Sequence, residues 1–226
     1  MTPIADRLAT VRSHIAAAAE RAGRDPAGVR LLPVSKTQSV GVIEQAVAAG
    51  LTRFAENRPQ ELAAKAEAFA GRNVGWVLIG PLQTNKANLA ARFADEFQAL
   101  DSLRVAQALD RRLQALGRGI DVLVEVNTSG EAAKHGVAPE GAPALAKALS
   151  AYHSLRPVGL MTVAVNGDEA AVRACFRRLV EVQRRLRDDG LDWPELSMGM
   201  SGDYEWAVEE GATVVRLGSA VFGPRA

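Results

Sequence analysis

The sequence contains little cysteine, no excess of charge of either sign and no long hydrophobic run. Cys175 is the single cysteine among 226 residues, which excludes an internal disulfide bond and favours a reducing, cytoplasmic location. The 27 basic and 26 acidic residues give a net charge of +1, so neither nucleic acid nor an anionic membrane is expected as a partner. No segment approaches the roughly 18 apolar residues of a membrane span, and the start lacks the apolar core of a signal peptide.

Several catalytic signatures are also missing. No Gly-x-x-x-x-Gly-Lys-Ser/Thr loop occurs, which argues against hydrolysis of a nucleoside triphosphate. His14, His135 and His153 are scattered without the spacing of metal ligands, so no metal site is predicted. Cys175 falls on the apolar face of a predicted helix, which indicates a core residue and not a nucleophile. Because no low-complexity linker divides the chain, we expect one domain over residues 1–226.

What the sequence does contain is a regular alternation of strand and helix patterns, with 48% hydrophobic residues to build a core. After an amphipathic N-terminal helix that begins near Ile4, eight short apolar segments are predicted strands, at residues 31–36, 52–55, 74–79, 96–100, 121–126, 158–162, 195–199 and 213–217. The segments between them are predicted helices, at residues 40–49, 59–70, 86–94, 103–116, 140–153, 168–188 and 204–210.

This alternation favours an α/β fold with parallel strands, and eight strands close a single (β/α)8 TIM barrel. Only seven helices lie between the strands, so the N-terminal helix is expected to complete the outer ring. A doubly wound open sheet is the structural alternative, but it usually carries a glycine-rich turn after the first strand, which residues 36–41 do not form. Pro33 weakens the first predicted strand because it removes one hydrogen-bond donor from the ladder.

The first predicted strand ends in a lysine. Because side chains alternate along a strand, Leu32, Val34 and Lys36 share one face, and an interior position for the first two directs Lys36 into the barrel mouth. Active sites of such barrels lie at this end. Burial lowers the pKa of a lysine and favours the neutral amine, a nucleophile that condenses with aldehydes. The alternative is a lysine that simply begins a solvated loop.

The loops after the last two strands are rich in glycine and serine. Barrels often bind phosphate there, through backbone amides and small hydroxyl groups, and Ser201, Gly218 and Ser219 supply both. Arg216 shares a face with Val214 and is expected at the mouth, against a phosphate, a carboxylate or a ring nitrogen. The alternative partner for this arginine is a mouth acid such as Glu56 or Glu125. A lysine amine, a phosphate cup and a polar group for a ring nitrogen are what pyridoxal phosphate requires.

Six segments along the chain resemble the pyridoxal phosphate homeostasis protein family, and the resemblance covers nearly the whole sequence. In order, they are Val34-Ser35-Lys36, Phe54-Ala55-Glu56-Asn57, Ile79-Gly80-Pro81-Leu82-Gln83-Thr84-Asn85-Lys86, Gly159-Leu160-Met161-Thr162, Leu196-Ser197-Met198-Gly199-Met200-Ser201 and Val215-Arg216-Leu217-Gly218-Ser219-Ala220-Val221-Phe222-Gly223. The chain departs from the family pattern at Ala55, Arg58-Pro59, Val77 and Asp101, and none of these positions is the lysine or part of the phosphate cup.

The resemblance implies a barrel like the N-terminal domain of alanine racemase, standing alone as a monomer. It implies that pyridoxal 5'-phosphate is held as a Schiff base on Lys36, and that the ring nitrogen faces Arg216. The residues implied to bind the cofactor are Lys36, Asn57, Met200, Ser201, Arg216, Gly218 and Ser219. The implied role is to buffer the cofactor or deliver it to apo-enzymes, without catalysis. Lys134 matches a family lysine beside the mouth, where a second cofactor contact and a solvated loop lysine are both open.

Two enzymatic functions compete with the role of a carrier. A pyridoxal phosphate enzyme of the racemase type needs a second acid–base group opposite the lysine. The only tyrosines are Tyr152 and Tyr204, and Tyr204 is expected to pack on the barrel. An aldolase acting on a phosphorylated sugar would use the same lysine and phosphate cup without a cofactor. A visible absorption band distinguishes the carrier and the racemase-type enzyme, which both hold pyridoxal phosphate, from the aldolase, which holds none.

Overall fold

The computed structural model describes residues 2–224 and contains helices outside a ring of strands. The helices are α1 Ile4–Arg21, α2 Val40–Ala48, α3 Pro59–Ala68, α4 Ala87–Phe93, α5 Leu103–Ala115, α6 Ala142–Ala148, α7 Glu169–Asp188, α8 Tyr204–Glu209 and α9 Ser219–Phe222. The strands are β1 Arg30–Pro33, β2 Arg53–Glu56, β3 Gly75–Leu78, β4 Glu96–Leu100, β5 Ile120–Glu125, β6 Leu155–Met161, β7 Glu195–Ser197 and β8 Val214–Leu217.

All eight strands are parallel, and each neighbours the strands next to it in the sequence. β1 also pairs with β8, which bends the sheet back on itself, and a single bridge between Val34 and Ala55 joins β1 to β2. The prediction of a TIM barrel is therefore confirmed, and the doubly wound alternative is wrong. Because the chain closes a barrel, its functional groups are expected at the carboxyl ends of the strands.

Pro33 lies within β1, although proline is unfavourable in a central strand. The backbone amides of Arg30 and Val34 donate to the β8 side of the strand. The next amide along the chain, that of Ser35, donates to the other side, to the carbonyl oxygen of Ala55 in β2. Amides alternate in direction along a strand, so the missing N–H of Pro33 faces β2. Since β1 and β2 begin to pair only at Val34, the proline removes no ladder bond.

The outer ring is completed by α1, as the sequence predicts. Its apolar side chains, including Leu8, Val11 and Ile15, are buried against the barrel, and α1 packs against α2, α8 and α9. The main difference from the sequence prediction is the helix expected over residues 140–153. There α6 has only seven residues. A 3-10 turn, Leu149–Ala151, follows it directly and leads to β6.

The barrel interior has an apolar side and a polar side. Leu32, Val34, Ala55, Val77 and Val214 form an apolar cluster of their own on β1, β2, β3 and β8. The larger core lies between the sheet and the helices and includes Cys175, whose predicted burial is confirmed. Among residues 2–224, no helix combines the length and the apolar character that crossing a membrane requires.

Gly159, in one of the family-like segments, lies where two strands approach closely. A Cβ atom at this position would stand 2.1 Å from the carbonyl oxygen of Glu195, its partner on β7. Only glycine therefore lets β6 and β7 keep their register. By contrast, Gly41 lies in α2 with nothing within 4 Å of such a Cβ.

We expect opposite effects on stability from alanine at these two glycines. Gly159→Ala lowers the free energy of unfolding by about 3 kcal/mol, because backbone must shift to admit the methyl group. Gly41→Ala raises it by about 0.5 kcal/mol, because alanine loses less entropy in a helix. Urea unfolding of both variants measures the difference, and equal stability of the two would contradict the packing at Gly159.

Candidate functional site

All seven residues that the sequence predicts for the site lie around one cavity at the carboxyl ends of the strands. The cavity has a volume of about 430 Å³. Its lining includes Lys36, Asn57, Met200, Ser201, Arg216, Gly218 and Ser219. These residues come from β8 and from the loops after β1, β2, β7 and β8, so residues that are far apart in the sequence meet at one end of the barrel.

Lys36 reaches this cavity because of the strand below it. Leu32 and Val34 are buried in the apolar cluster of the interior, and Lys36 continues the same column into the mouth. It lies in the turn between β1 and α2 and is half-buried. The next residue, Thr37, has a φ of +66°, in the left-handed region that threonine seldom adopts. Neighbouring groups must therefore hold this turn in place.

A buried ion cluster holds the turn from its outer side. Lys65 on α3 donates to the carbonyl oxygen of Ser35 at 2.7 Å and to the carboxylates of Glu56 and Glu61 at 2.7 and 2.8 Å. Glu61 also accepts the backbone N–H of Thr37 at 2.8 Å. Lys65 thus fixes both residues that flank Lys36, one directly and one through Glu61. We call these side chains, Glu56, Glu61 and Lys65, the turn clamp.

The turn clamp is absent from the sequence prediction. The four-residue spacing of Glu61 and Lys65 on a helix is a usable signal for an ion pair, but nothing local links that pair to Glu56. The hypothesis that Glu56 is a mouth acid beside Arg216 is wrong. Glu56 alternates with the inward-facing Ala55, and so it lies between the sheet and α3, fully buried. Burial raises its pKa, while Lys65 and Ser35 oppose that rise.

The loops after β7 and β8 form the opposite wall of the cavity. Gly199 has a φ of +92°, and a Cβ there would stand 2.5 Å from the Cβ of Ala207 on α8, so only glycine allows this close turn. The hydroxyl oxygen of Ser201 accepts the backbone N–H of Ala220 at 3.3 Å, which ties the two loops together. Ser219 begins α9 directly after Gly218. The arrangement offers small hydroxyl groups and accessible backbone amides to an anion.

Arg216 forms the floor of the cavity and is the most deeply buried cation in the site, with 3% of its surface exposed. Its guanidinium donates to the carbonyl oxygen of Thr162 at 2.7 Å and to the Ser197 hydroxyl at 2.8 Å. The Ser197 hydroxyl donates to Gln98 at 2.7 Å, and the Gln98 amide donates to the Glu96 carboxylate at 2.6 Å. Every donor in this series points from Arg216 toward Glu96. The hydroxyl and amide dipoles therefore extend the influence of a buried carboxylate to a buried guanidinium.

Burial and neighbouring charges shift two pKa values at the mouth. Burial lowers the pKa of Arg216 to about 10, opposed by the nearby carboxylates of Glu125 and Asp203. Burial also raises the pKa of Glu125 to about 7, against the attraction of Arg216 and with added repulsion from Asp101. Of the two acids that the sequence proposed for Arg216, Glu125 is thus the one that interacts with it, and it acts through space, since no ion pair joins them among residues 2–224.

Two further candidates do not line the cavity. The ammonium group of Lys134 bonds to the carbonyl oxygen of Ala164 and to Glu131, both at 2.9 Å. Tyr204 is buried against α1, with its hydroxyl 3.0 Å from Nδ1 of His14, so its expected packing on the barrel is confirmed. His14 is half-exposed.

Comparison with known proteins links this geometry to one family. Residues 7–226 match the model for the N-terminal domain of alanine racemase. A pyridoxal phosphate homeostasis protein from Pseudomonas aeruginosa is 44% identical over all of this chain and 97% of its own length. PipY from Synechococcus elongatus, in a structure with pyridoxal phosphate bound, superposes with a TM-score of 0.82 at 36% identity, over 97% of this chain and all of that chain. An alanine racemase from Clostridium difficile shares the fold alone, with a TM-score of 0.78 at 14% identity, over 97% of this chain and 57% of that chain.

Loss of the lysine from the turn clamp should be strongly destabilising. Lys65→Met leaves Glu56 buried without its counter-ion and lowers the free energy of unfolding by about 3–5 kcal/mol. The double variant Lys65→Met/Glu56→Leu recovers at least about 1 kcal/mol of this loss, because no uncompensated charge remains. Lys147→Met removes an exposed pair with Asp189 and serves as the control, with a change below about 1 kcal/mol. Equal losses at Lys65 and Lys147 would contradict the clamp.

The raised pKa of Glu125 predicts a pH dependence of stability. The folded protein binds the proton of the Glu125 carboxyl more tightly than the unfolded chain does. The contribution of this group to the free energy of unfolding is therefore complete below pH about 4.5 and is lost as the pH rises through about 7. Glu125→Gln does not titrate, so its stability relative to the wild type should rise by about 2 kcal/mol between about pH 5 and pH 8. Chemical unfolding at several pH values measures this difference. Glu140→Gln, at an exposed position, is the control, and a pH-independent difference for Glu125→Gln would refute the prediction.

Proposed function

Because this chain belongs to the family of the alanine racemase N-terminal domain, and within it to the pyridoxal phosphate homeostasis proteins, we propose that it binds pyridoxal 5'-phosphate and maintains its intracellular supply. The observation that carries the proposal is the meeting of Lys36, Arg216 and the phosphate cup around one cavity. Each of these groups has a counterpart in the cofactor, namely the aldehyde, the ring nitrogen and the phosphate.

The residues present fit this cofactor by their chemistry and by the room between them. A cavity of about 430 Å³ lies within the range of small-ligand sites. Ser201, Gly218 and Ser219 offer hydroxyl and amide donors to the phosphate, and Lys36 offers the amine. Lys36 would hold the cofactor through its amine, since pyridoxal phosphate would supply an aldehyde with which an amine can condense. Asn57 and Met200 line the same cavity and are proposed to contact the ring or its substituents.

Arg216 favours storage of the cofactor over its use in catalysis. A guanidinium carries only donors, so a ring nitrogen facing it accepts a hydrogen bond and stays unprotonated. An unprotonated ring is a weaker electron sink than a protonated one, and the electron sink is what catalysis with this cofactor needs. The bonds to Ser197 and Thr162 keep the guanidinium fixed in this position.

The cavity also lacks a second acid–base group of the kind a racemase uses. No tyrosine is among the cavity-lining residues in the described part of the chain, and Tyr204 faces α1. We therefore propose a monomeric, non-catalytic carrier, with one cofactor-binding domain, that buffers the cofactor or delivers it to apo-enzymes. The single cysteine excludes an internal disulfide bond, which supports a cytoplasmic location.

Absorption spectroscopy tests the tether. Wild-type protein incubated with pyridoxal phosphate should keep a visible absorption band through dialysis, and Lys36→Ala should lose it because no amine remains to hold the aldehyde. Lys134→Ala is the matched control and should keep the band, since Lys134 bonds to Ala164 and Glu131 away from the cavity. A band that survives in Lys36→Ala would refute the tether, and a colourless wild type would favour the aldolase.

Ser201 and Ser219 provide a second arm of the same experiment. Ser201→Ala/Ser219→Ala should weaken retention of the cofactor about tenfold, because two hydroxyl donors to a charged phosphate are lost. The band should still form at high cofactor concentration, since Lys36 is unchanged. Equal retention by the wild type and this variant would contradict the position of the phosphate.

A further inference from the structure

A second, larger cavity opens beside the first at the same end of the barrel. It has a volume of about 880 Å³, and Asn57 belongs to the walls of both cavities. Three of its lining residues are the cations Arg58, Lys86 and Arg104, whereas Asp101 is its one carboxylate. A smaller recess of about 370 Å³ follows along α5 and shares Arg104 with it. Together the two form an elongated depression that starts at the cofactor cavity, which we call the basic groove.

The cations of the basic groove lack acidic partners. Within residues 2–224, the side chains of Arg58, Lys86, Arg104, Arg111 and Arg112 form neither an ion pair nor a side-chain hydrogen bond. Several arginines elsewhere are paired with carboxylates, and Arg173 alone contacts three glutamates. In a chain with a net charge of +1, five unpaired cations on one face make a local positive patch.

Exposed apolar side chains lie at the same end of the barrel. Four large apolar residues are exposed among those described, and three of them begin helices or line loops at the carboxyl ends of the strands: Val40, Leu103 and Met200. Leu103 is 41% exposed and precedes Arg104. Arginine beside exposed apolar residues is the composition of protein interfaces. Arg104 and Arg111 are two turns apart on α5, so one extended chain can contact both.

We propose that the basic groove docks an acidic segment of a partner protein next to the cofactor cavity. The elongated shape suits a chain segment better than a small anion, which would occupy only one of the two recesses. The exposed apolar residues and the small net charge favour a protein over a nucleic acid, whose binding needs a broadly basic surface. The inference rests on the proposed function for its purpose: a protein seated here would lie beside bound cofactor, at the wall formed by Asn57.

Charge reversal within the groove tests the proposal. The probe is a short, fluorescein-labelled poly-L-glutamate, and its binding to cofactor-loaded protein is followed by fluorescence anisotropy. Arg104→Glu/Arg111→Glu should weaken binding about tenfold or more, because attraction becomes repulsion at two contacts. The matched control is Arg12→Glu/Arg184→Glu, which reverses two exposed, unpaired arginines on α1 and α7 and should change binding less than about twofold. The milder Arg104→Gln/Arg111→Gln should lie between the wild type and the reversed variant.

Other outcomes overturn the docking proposal. Equal weakening by both reversed pairs would mean attraction to overall charge and not to the groove. Tighter binding of poly-uridylate than of poly-L-glutamate would indicate a nucleic acid, and displacement by an equal charge concentration of tripolyphosphate would indicate a small anion. The visible band of the cofactor is recorded in the same samples. A missing band refutes the proposed function, whereas a normal band with unchanged peptide binding refutes only the groove.

Discussion

The buried guanidinium of Arg216 is the constraint around which the interior of this barrel is arranged. A charge in a dry core is costly unless other groups compensate it. Here compensation comes from the nearby carboxylates of Glu125 and Asp203 and, at a greater distance, through Ser197 and Gln98, whose donors all point toward the carboxylate of Glu96. Glu96 is itself held by Arg30 and Arg53 at the opposite end of the barrel. A connected series of ion pairs and hydrogen bonds thus runs through the interior, from the end opposite the cavity to the cavity itself.

This requirement divides the interior into two functional halves. The side under Lys36 is apolar and fixes the lysine by packing, with Leu32 and Val34 stacked below it. Arg216 follows Val214 of the same apolar cluster on β8, and its guanidinium is fixed from the polar side of the interior by hydrogen bonds to Ser197 and Thr162. The cavity lies where the two halves end, so it offers an amine on one wall and a fixed cation on another.

The sequence predicts the fold and the cavity better than it predicts their supports. The alternation of side chains along β1 and β8 is enough to place Lys36 and Arg216, because successive side chains of any barrel strand point alternately inward and outward. Glycine and serine after β7 and β8 mark the cup by their chemistry. The supports depend instead on side chains brought together by closure: Gln98 meets Ser197, 99 residues away, and nothing local signals the contact. The sequence predicts the wrong position for Glu56 for a related reason. Which side chains of β2 point into the barrel depends on how β2 pairs with its neighbouring strands.

The junction between β1 and β2 has a consequence for motion. These strands are joined by one bridge at Val34 and Ala55 and by the amide of Ser35, and Pro33 has no N–H to add to them. Strand pairs held by few hydrogen bonds open at lower free energy than the rest of a structure. In this barrel that pair lies directly beneath the lysine-bearing turn. Opening of this pair also requires the turn clamp to break, because Lys65 and Glu61 bond to the two residues that flank Lys36. The clamp, and not the short strand ladder, therefore limits how far the lysine-bearing turn can move.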